Sequence, residues 1–197
     1  MIRLMGVGFR YPGADAWAVR DADGELGPGG GVLRVAGPNG SGKTTLLALI
    51  LGLLEPTQGR LEGVAGRRRA AVFQDDRLIE HLSPVSNVRL AARAPLTNDA
   101  ISGEFDAIGL AQEAWSRPVS ALSGGQRRRV CLVRALVAGA DLIGLDEPFT
   151  GIDAASLPGV LAYVRDRLGE ADVVLITHDE AQAEYFGGDC VRLGDIP

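Results

Sequence analysis

The sequence predicts an α/β fold with a mostly parallel sheet, flanking helices, antiparallel strands at the N-terminus and an inserted helical subdomain. Three short apolar runs, at residues 32–36, 142–147 and 172–177, have the length and composition of buried strands. The first run leads through a glycine-rich turn into a helical pattern at residues 46–51. Two amphipathic helical patterns, with no strand between them, precede Pro118.

We expect one domain over residues 1–197, with a core from 1–75 and 140–197 and a helical subdomain at 76–139. A chain of 197 residues and 20.7 kDa is long enough to bury such a core. Its formal net charge of -5 gives no basic field for nucleic acid, so we expect no nucleic-acid partner.

The sequence also lacks the features of secreted and membrane-spanning chains. No N-terminal stretch resembles a signal peptide, and no apolar run is long enough to cross a bilayer. Cys131 and Cys190 are too few for a disulfide framework or a metal site. We therefore expect a cytosolic protein, and we interpret the arginine triplets 67–69 and 127–129 as solvated faces in preference to binding patches.

The N-terminal region predicts two strands. Residues 1–11 resemble an edge strand, and a second strand around residues 17–20 leads into turn-forming residues at 21–24 and a glycine-rich turn at 27–31. Tyr11 lies near a strand end, upstream of the next glycine-rich turn. From its position alone, its ring either packs at the rim of the core or stacks on a flat ligand ring such as adenine.

Residues 37–45 fit the pattern G-x-x-x-x-G-K-[ST] between a strand and a helix, which is typical of a phosphate-binding loop. Glycine at positions 37, 40 and 42 allows backbone angles that turn successive N–H groups inward around an anion. The following helix adds unpaired N–H donors at its N-terminus. Lys43 is expected to reach the β- and γ-phosphates, and the Thr44 hydroxyl to bind Mg²⁺. The sequence thus predicts a binding site for a nucleoside triphosphate.

The middle of the chain contains a short strand, two helices and a second glycine motif. The strand at 70–73 ends at Gln74, and helices follow at about 85–92 and 97–109. Ser123 is a suitable N-cap for a helix that continues to about residue 138. The glycines after Ser123 allow close approach to the exposed N–H groups, which predicts a second anion site.

Ionisable residues end the two later buried strands. Asp146 is suited to Mg²⁺ coordination, and Glu147 to orienting or deprotonating a water molecule. A helix interrupted by Pro158 is expected to extend to about residue 168. His178 follows the strand at 172–177, on the side of the sheet where ligands bind, so we favour a γ-phosphate contact over a structural role. A last strand is expected at 190–193.

Together these motifs resemble the ATP-binding subunit of ABC transporters, a P-loop NTPase fold, over nearly the whole chain. The loop at 37–45, Gln74, the Leu-Ser-Gly-Gly-Gln sequence at 122–126, Asp146-Glu147, Asp153 and His178 follow the family's order. The resemblance implies ATP and Mg²⁺ as cofactors, with Tyr11 stacked on adenine. The implied phosphate-binding residues are Gly37, Asn39, Gly40, Ser41, Gly42, Lys43, Thr44 and Thr45. The implied Mg²⁺ ligands are Thr44, Gln74 and Asp146, and the implied catalytic residues are Glu147 as general base, His178, Gln74 and Lys43.

The resemblance also implies partners. A second copy of the chain, or a related ATPase subunit, would pair head to tail, with Ser123, Gly125 and Gln126 closing the partner's site. Transmembrane permease subunits would hold the pair at the cytoplasmic face of the membrane. The sequence departs from the family in a short interval between Lys43 and Gln74, which suggests an incomplete antiparallel hairpin. It also has three arginines at 127–129, where the family often has a Gln-Arg-Val sequence ending at Val130.

Three functions are compatible with these motifs. Residues 72–78 and 82–88 look like those of nitrate, sulfonate or taurine importers, and we favour this interpretation. The short chain and residues 146–153 look like an exporter subunit or the haem-export ATPase of cytochrome c maturation. A soluble ABC ATPase acting on ribosomes or DNA is disfavoured by the acidic charge and by the single cassette.

Overall fold

The computed structural model describes residues 1–194 and divides the chain into two compact units. The first unit contains Met1–Arg69, Asp141–Asp146 and the chain from Glu170 onward. The second contains Ala70–Ala140 and Glu147–Gly169. The chain therefore passes between the units several times. One of these passages lies between Asp146, in the first unit, and Glu147, in the second.

An antiparallel sheet forms the N-terminal part of the first unit. Its strands are β1 (Ile2–Phe9), β2 (Val19–Leu26) and β4 (Gln58–Glu62), in the order β2-β1-β4. The prediction of an edge strand at residues 1–11 was wrong, because β1 pairs on both sides. The second strand was predicted around residues 17–20, but β2 continues through residues 21–24. Asp21 has a φ of 47°, and the β1–β2 register shifts nearby, which breaks the alternation expected of a strand.

Parallel strands form the second sheet, and those predicted at residues 32–36, 142–147 and 172–177 are confirmed. They are β3 (Val32–Ala36), β6 (Leu142–Asp146) and β7 (Asp172–Ile176), joined by β5 (Arg69–Val72) and β8 (Asp189–Arg192) in the order β5-β6-β7-β3-β8. Every residue of β6 and β7 is buried, as expected for a sheet covered on both faces. Because β3, β6, β7 and β8 pair in parallel, their carboxyl ends lie at one edge of the sheet.

Two helices belong to the first unit. Helix α1 (Lys43–Ile50) packs against β6, where a Cβ on Gly144 would lie 2.8 Å from Leu47 and 2.9 Å from Leu51. Close packing thus explains the glycine in this buried strand. The sequence did not indicate the short helix α6 (Glu180–Phe186), whose N-cap Asp179 accepts a hydrogen bond from the Gln182 N–H.

Helices make up most of the second unit: α2 (Pro84–Ala91), α3 (Asn98–Ala107), α4 (Gly124–Leu136) and α5 (Leu157–Leu168). Short 3₁₀ turns at Gln112–Ala114 and Val119–Ala121 connect α3 to α4. Ser123 is the N-cap of α4, as predicted. Pro158 was predicted to interrupt a helix, and this prediction was wrong. It lies in the first turn of α5, where a missing N–H leaves no hydrogen bond unmade.

The interpretation of solvated faces was wrong for the triplet at 127–129, where two arginines are buried. In the triplet at 67–69, Arg68 and Arg69 are exposed and Arg67 is half-buried. Arg67 donates to the Asp172 carboxylate at 2.5 Å, and Arg69 donates to the carbonyl oxygens of Leu51 and Val64. Arg128 and Arg129 are only 2% and 9% exposed. Arginine can bury its stem and pair its fork of N–H donors inside the protein, so a charge run alone does not indicate exposure.

None of the helices in residues 1–194 is long and apolar enough to cross a membrane.

The Arg67–Asp172 pair generates a stability prediction. Asp172 is 1% exposed, and its other carboxylate oxygen accepts from the Gly31 N–H. Arg67→Met should lower the free energy of unfolding by about 3–5 kcal/mol, because it leaves a buried carboxylate without its cation. Urea denaturation of the purified chain measures this change.

Arg68→Met is the matched control, since Arg68 pairs with Asp141 where both side chains are nearly half exposed. Arg68→Met should lower the free energy of unfolding by only a small fraction of the amount expected for Arg67→Met. Equal losses for the two variants would contradict the importance of the buried pair.

Candidate functional site

The loop between β3 and α1 has the backbone that a phosphate cradle requires. Gly40 and Gly42 have φ angles of 82° and 86°, in the left-handed region that favours glycine. A Cβ on Gly42 would lie 1.8 Å from the Ala18 carbonyl oxygen, and a Cβ on Gly37 would lie 2.6 Å from the Ser41 hydroxyl oxygen. Both positions therefore require glycine for space as well as for backbone angle.

Polar groups of this loop are arranged for an anion. The Lys43 ammonium donates to the carbonyl oxygens of Gly37, at 2.9 Å, and Pro38, at 2.8 Å, so it lies across the loop. The Ser41 hydroxyl is buried, and no group of residues 1–194 satisfies it. A buried polar atom without a partner is costly, and a bound phosphate oxygen would remove that cost. Asn39 and Gly40 are exposed at the tip of the loop.

A short hydrogen bond connects the start of α1 to the end of β6. The Thr44 hydroxyl donates to the Asp146 carboxylate at 2.6 Å, and Asp146 is 2% exposed. Adjacent ligands of an octahedral Mg²⁺ ion lie about 3 Å apart, so these oxygens fit neighbouring positions on one ion. No group of three or more His, Cys, Asp or Glu side chains within the described residues could hold a metal alone.

Two further predicted residues belong to the first unit. The Tyr11 hydroxyl lies 3.1 Å from the Thr45 hydroxyl, and the Tyr11 ring is 48% exposed beside Phe9. Tyr11 is thus next to the phosphate loop, with part of its ring open to a ligand. Asp146 pairs in register with Ile176 at the end of β7, so the exposed His178 follows a strand that ends beside Asp146.

The second unit holds the glycine motif at the N-terminus of α4. The Ser123 hydroxyl accepts from the Gln126 N–H at 3.2 Å, and the Gln126 side chain accepts from the Ser123 N–H at 2.9 Å. This reciprocal capping box fixes the start of the helix. A Cβ on Gly125 would lie 2.7 Å from the Gly151 carbonyl oxygen, so the turn at Gly151 packs directly on the motif.

The loop at Gly151 continues to Asp153, which is tied to α4 and α5. The Asp153 carboxylate accepts from the Ser156 N–H at 2.9 Å and from Arg129 at 3.3 Å. The pKa of the Asp153 carboxyl lies below its ordinary value, first because Ser156 donates to it and then because of Arg129. The carboxylate therefore remains charged and holds this loop on the helix.

Glu147 and Gln74 also lie in the second unit. Glu147 has a φ of 47°, a left-handed backbone that costs a non-glycine residue about 1–3 kcal/mol. Such strain often occurs at functional positions. The exposed Gln74 lines a groove of about 520 Å³. The other lining residues are Asp75, Asp76, Arg77, Leu78, Glu80, Val119, Ser120 and Arg127.

The predicted site residues therefore divide between the units. The first unit brings together the loop residues, Tyr11 and Asp146, and places His178 after the neighbouring strand end. The second contains Gln74, Ser123, Gly125, Gln126 and Glu147. Sequence reasoning missed the contacts of Arg128 with the carbonyl oxygens of Phe73 and Glu147, because a carbonyl acceptor has no sequence signal.

The family model described as ABC transporter matches residues 20–150. The chain belongs to the ABC transporter family. The taurine import ATP-binding protein TauB of Pseudomonas syringae pv. tomato is 37% identical, over 100% of this chain and 80% of its own length. The aliphatic sulfonates import ATP-binding protein SsuB 3 of Nocardia farcinica is 40% identical, over 98% of this chain and 77% of its own length.

Solved ABC structures agree with this assignment. The dimeric structure of MJ0796, a bacterial ABC transporter cassette, has a TM-score of 0.83 and 25% identity, over 98% of this chain and 94% of that one. The P-loop NTPase fold predicted from the sequence is confirmed. The chain is an ABC ATP-binding subunit that hydrolyses ATP, as the resemblance implied.

Proposed function

We propose that this ABC ATPase energises an importer through a head-to-tail pair of ATPase subunits. The names of the relatives, taurine and aliphatic sulfonates import ATP-binding proteins, support import over export. The phosphate loop supports the ATPase part of this proposal. Its glycines, Lys43 and the buried Ser41 hydroxyl all favour a bound triphosphate.

The proposed phosphate chemistry begins with charge neutralisation. Lys43 leaves its loop carbonyls for the β- and γ-phosphates when ATP binds, and the inward N–H groups hold the phosphate oxygens. Thr44 and Asp146 would hold Mg²⁺, with Gln74 as a further ligand on the family pattern. The ion would supply positive charge to the phosphate oxygens. Tyr11 provides a partly exposed ring for adenine.

Glu147 is the proposed general base. It directly follows the carboxylate proposed for Mg²⁺, and its strained backbone indicates that the protein fixes its direction. His178 contacts the γ-phosphate, and Gln74 helps to hold the attacking water. Positioning and electrostatic stabilisation supply most of the catalysis in such reactions, so a small displacement of these groups has a large effect.

The glycine motif of α4 is proposed to complete the site of a second subunit. Ser123 and Gly124 are exposed at the N-terminus of this 13-residue helix, where backbone N–H groups favour an anion. Ser123, Gly125 and Gln126 therefore close on the γ-phosphate held by the partner, which is a second copy or a related subunit. ATP then joins two half-sites, and hydrolysis separates them.

Glu147→Gln should keep ATP binding and lose at least about 100-fold in hydrolysis, because the amide cannot take a proton from water. The variant should accumulate as an ATP-bound dimer, measured by size-exclusion chromatography beside an ATPase assay. Near-normal turnover would exclude Glu147 as the base.

The double variant Glu147→Gln/Ser123→Arg is the control for the head-to-tail arrangement. It should bind ATP and remain monomeric, because the arginine occupies the position proposed for the partner's phosphate. An undiminished ATP-bound dimer would contradict the role of Ser123.

The groove beside Gln74 is proposed to receive a cytoplasmic helix of the permease, which places this subunit at the cytoplasmic face of the membrane. Its lining combines the half-buried Leu78 with three carboxylates and two arginines, and includes the fully buried Val119. Arg127 pairs with Asp76 at 3.0 Å, and the Arg77 guanidinium lies 3.9 Å from the Phe73 ring centroid. The groove therefore suits an amphipathic helix with an apolar anchor and basic residues at its rim. Because Gln74 lines it, a displaced helix would also displace Gln74.

Leu78→Glu should abolish co-purification with the membrane partner, since it puts a charge where the apolar anchor would bind. Leu90→Glu is the matched control, because Leu90 is 67% exposed on α2 and does not line the groove. Both variants should keep the wild-type melting temperature. Equal retention of the membrane subunit by both would contradict docking here.

A further inference from the structure

Arg128 is a buried arginine that joins two distant backbone segments of the second unit. One guanidinium nitrogen donates to the Phe73 carbonyl oxygen at 2.6 Å, and the other terminal nitrogen donates to the Glu147 carbonyl oxygen at 2.7 Å. The Asp76 carboxylate lies 3.6 Å from the first nitrogen and balances the charge. One rigid, planar group thus serves both segments at once.

Each acceptor is adjacent to a group proposed to act on ATP or water. The Phe73 carbonyl belongs to the peptide that links Phe73 to Gln74. The Glu147 carbonyl belongs to the proposed base itself, whose φ of 47° is unfavourable for a residue with a side chain. A strained backbone persists only where its surroundings fix it. The hydrogen bond from Arg128 fixes the peptide plane that follows Glu147.

A purely structural arginine is available for comparison on the same helix. Arg134 also donates to two carbonyl oxygens, those of Arg77 at 2.6 Å and Asp76 at 3.2 Å. Neither acceptor is a residue proposed to act on the water, and neither is adjacent to Glu147. The two arginines share helix, residue type and bonding mode. They differ in what they hold and in burial, since Arg128 is buried and Arg134 is half-buried.

We propose that Arg128 is a positioning residue for ATP hydrolysis, whose guanidinium fixes the backbone directions from which Glu147 and Gln74 extend. The inference rests on the proposed role of Glu147 as the general base. Arg128 does not touch ATP and transfers no proton. It acts by keeping the carboxylate of Glu147 in the position that activates water.

Arg128→Met should lower kcat by about 10- to 100-fold with little change in KM, because a catalytic group displaced by about 1 Å loses rate on this order. ATP binding depends on the first unit's loop and should persist. Arg128→Lys keeps the charge beside Asp76, but an ammonium cannot reproduce the planar fork. Its kcat should fall between those of Arg128→Met and the wild type, with a smaller loss of melting temperature than that of Arg128→Met.

Arg134→Met is the matched control and should keep the wild-type kcat. The double variant Arg128→Lys/Glu147→Gln tests the route of the effect. If Arg128 acts mainly through Glu147, this double variant should be slower than Glu147→Gln by less than the factor of Arg128→Lys, and the remaining loss measures the part that acts through Gln74. Steady-state ATPase assays and thermal melts of the full purified chain supply all these values.

Three results would overturn the inference. The first is wild-type kcat in Arg128→Lys, which also decides the matter if Arg128→Met does not fold. The second is that the Arg128 and Arg134 variants lose kcat in the same proportion to their loss of stability. The third is a double variant slower than Glu147→Gln by the full factor of Arg128→Lys. Full activity in Glu147→Gln would instead refute the proposed base, so the two failures are distinguishable.

Discussion

The hydrogen bond of 2.6 Å from the Thr44 hydroxyl to the Asp146 carboxylate joins the first turn of α1 to the end of a fully buried strand. The geometry of the first unit depends on it, because it aligns the phosphate loop with the edge where β6 and β7 end. Gly144 lets α1 pack closely on β6, and Gly42 lets the loop pass the Ala18 carbonyl. Backbone packing, more than any single charge, thus places the oxygens proposed for Mg²⁺.

The second unit depends on arginines of α4 in a comparable way. Arg129 binds the Asp153 carboxylate, and Arg134 donates to the backbone of Asp76 and Arg77. Arg128 donates to the carbonyl oxygens of Phe73 and Glu147. The helix that presents Ser123 at its N-terminus therefore also anchors the neighbouring loops of this unit. A disturbance of the groove beside Gln74 would meet this helix through Asp76, which pairs with Arg127.

The sequence predicted what local signals specify. Lys43, Thr44 and Asp146 were assigned from the strand, loop and helix patterns around them, and the bond between Thr44 and Asp146 agrees with the shared role proposed for them. Strand β4 escaped notice because Leu61 is its only partly buried residue, so no alternation marks it. The burial of Arg128 could not be predicted, because its acceptors are backbone groups made adjacent by tertiary folding.

Lys43 offers the most direct test of the account, since it is the only lysine in the sequence. An amine-directed reagent therefore marks one side chain, apart from the N-terminal amine. We expect saturating MgATP to protect Lys43 from modification, because its ammonium then binds the phosphates, while labelling of the N-terminus stays unchanged. Peptide mass spectrometry measures both positions. Equal labelling of Lys43 with and without MgATP would contradict the proposed nucleotide site.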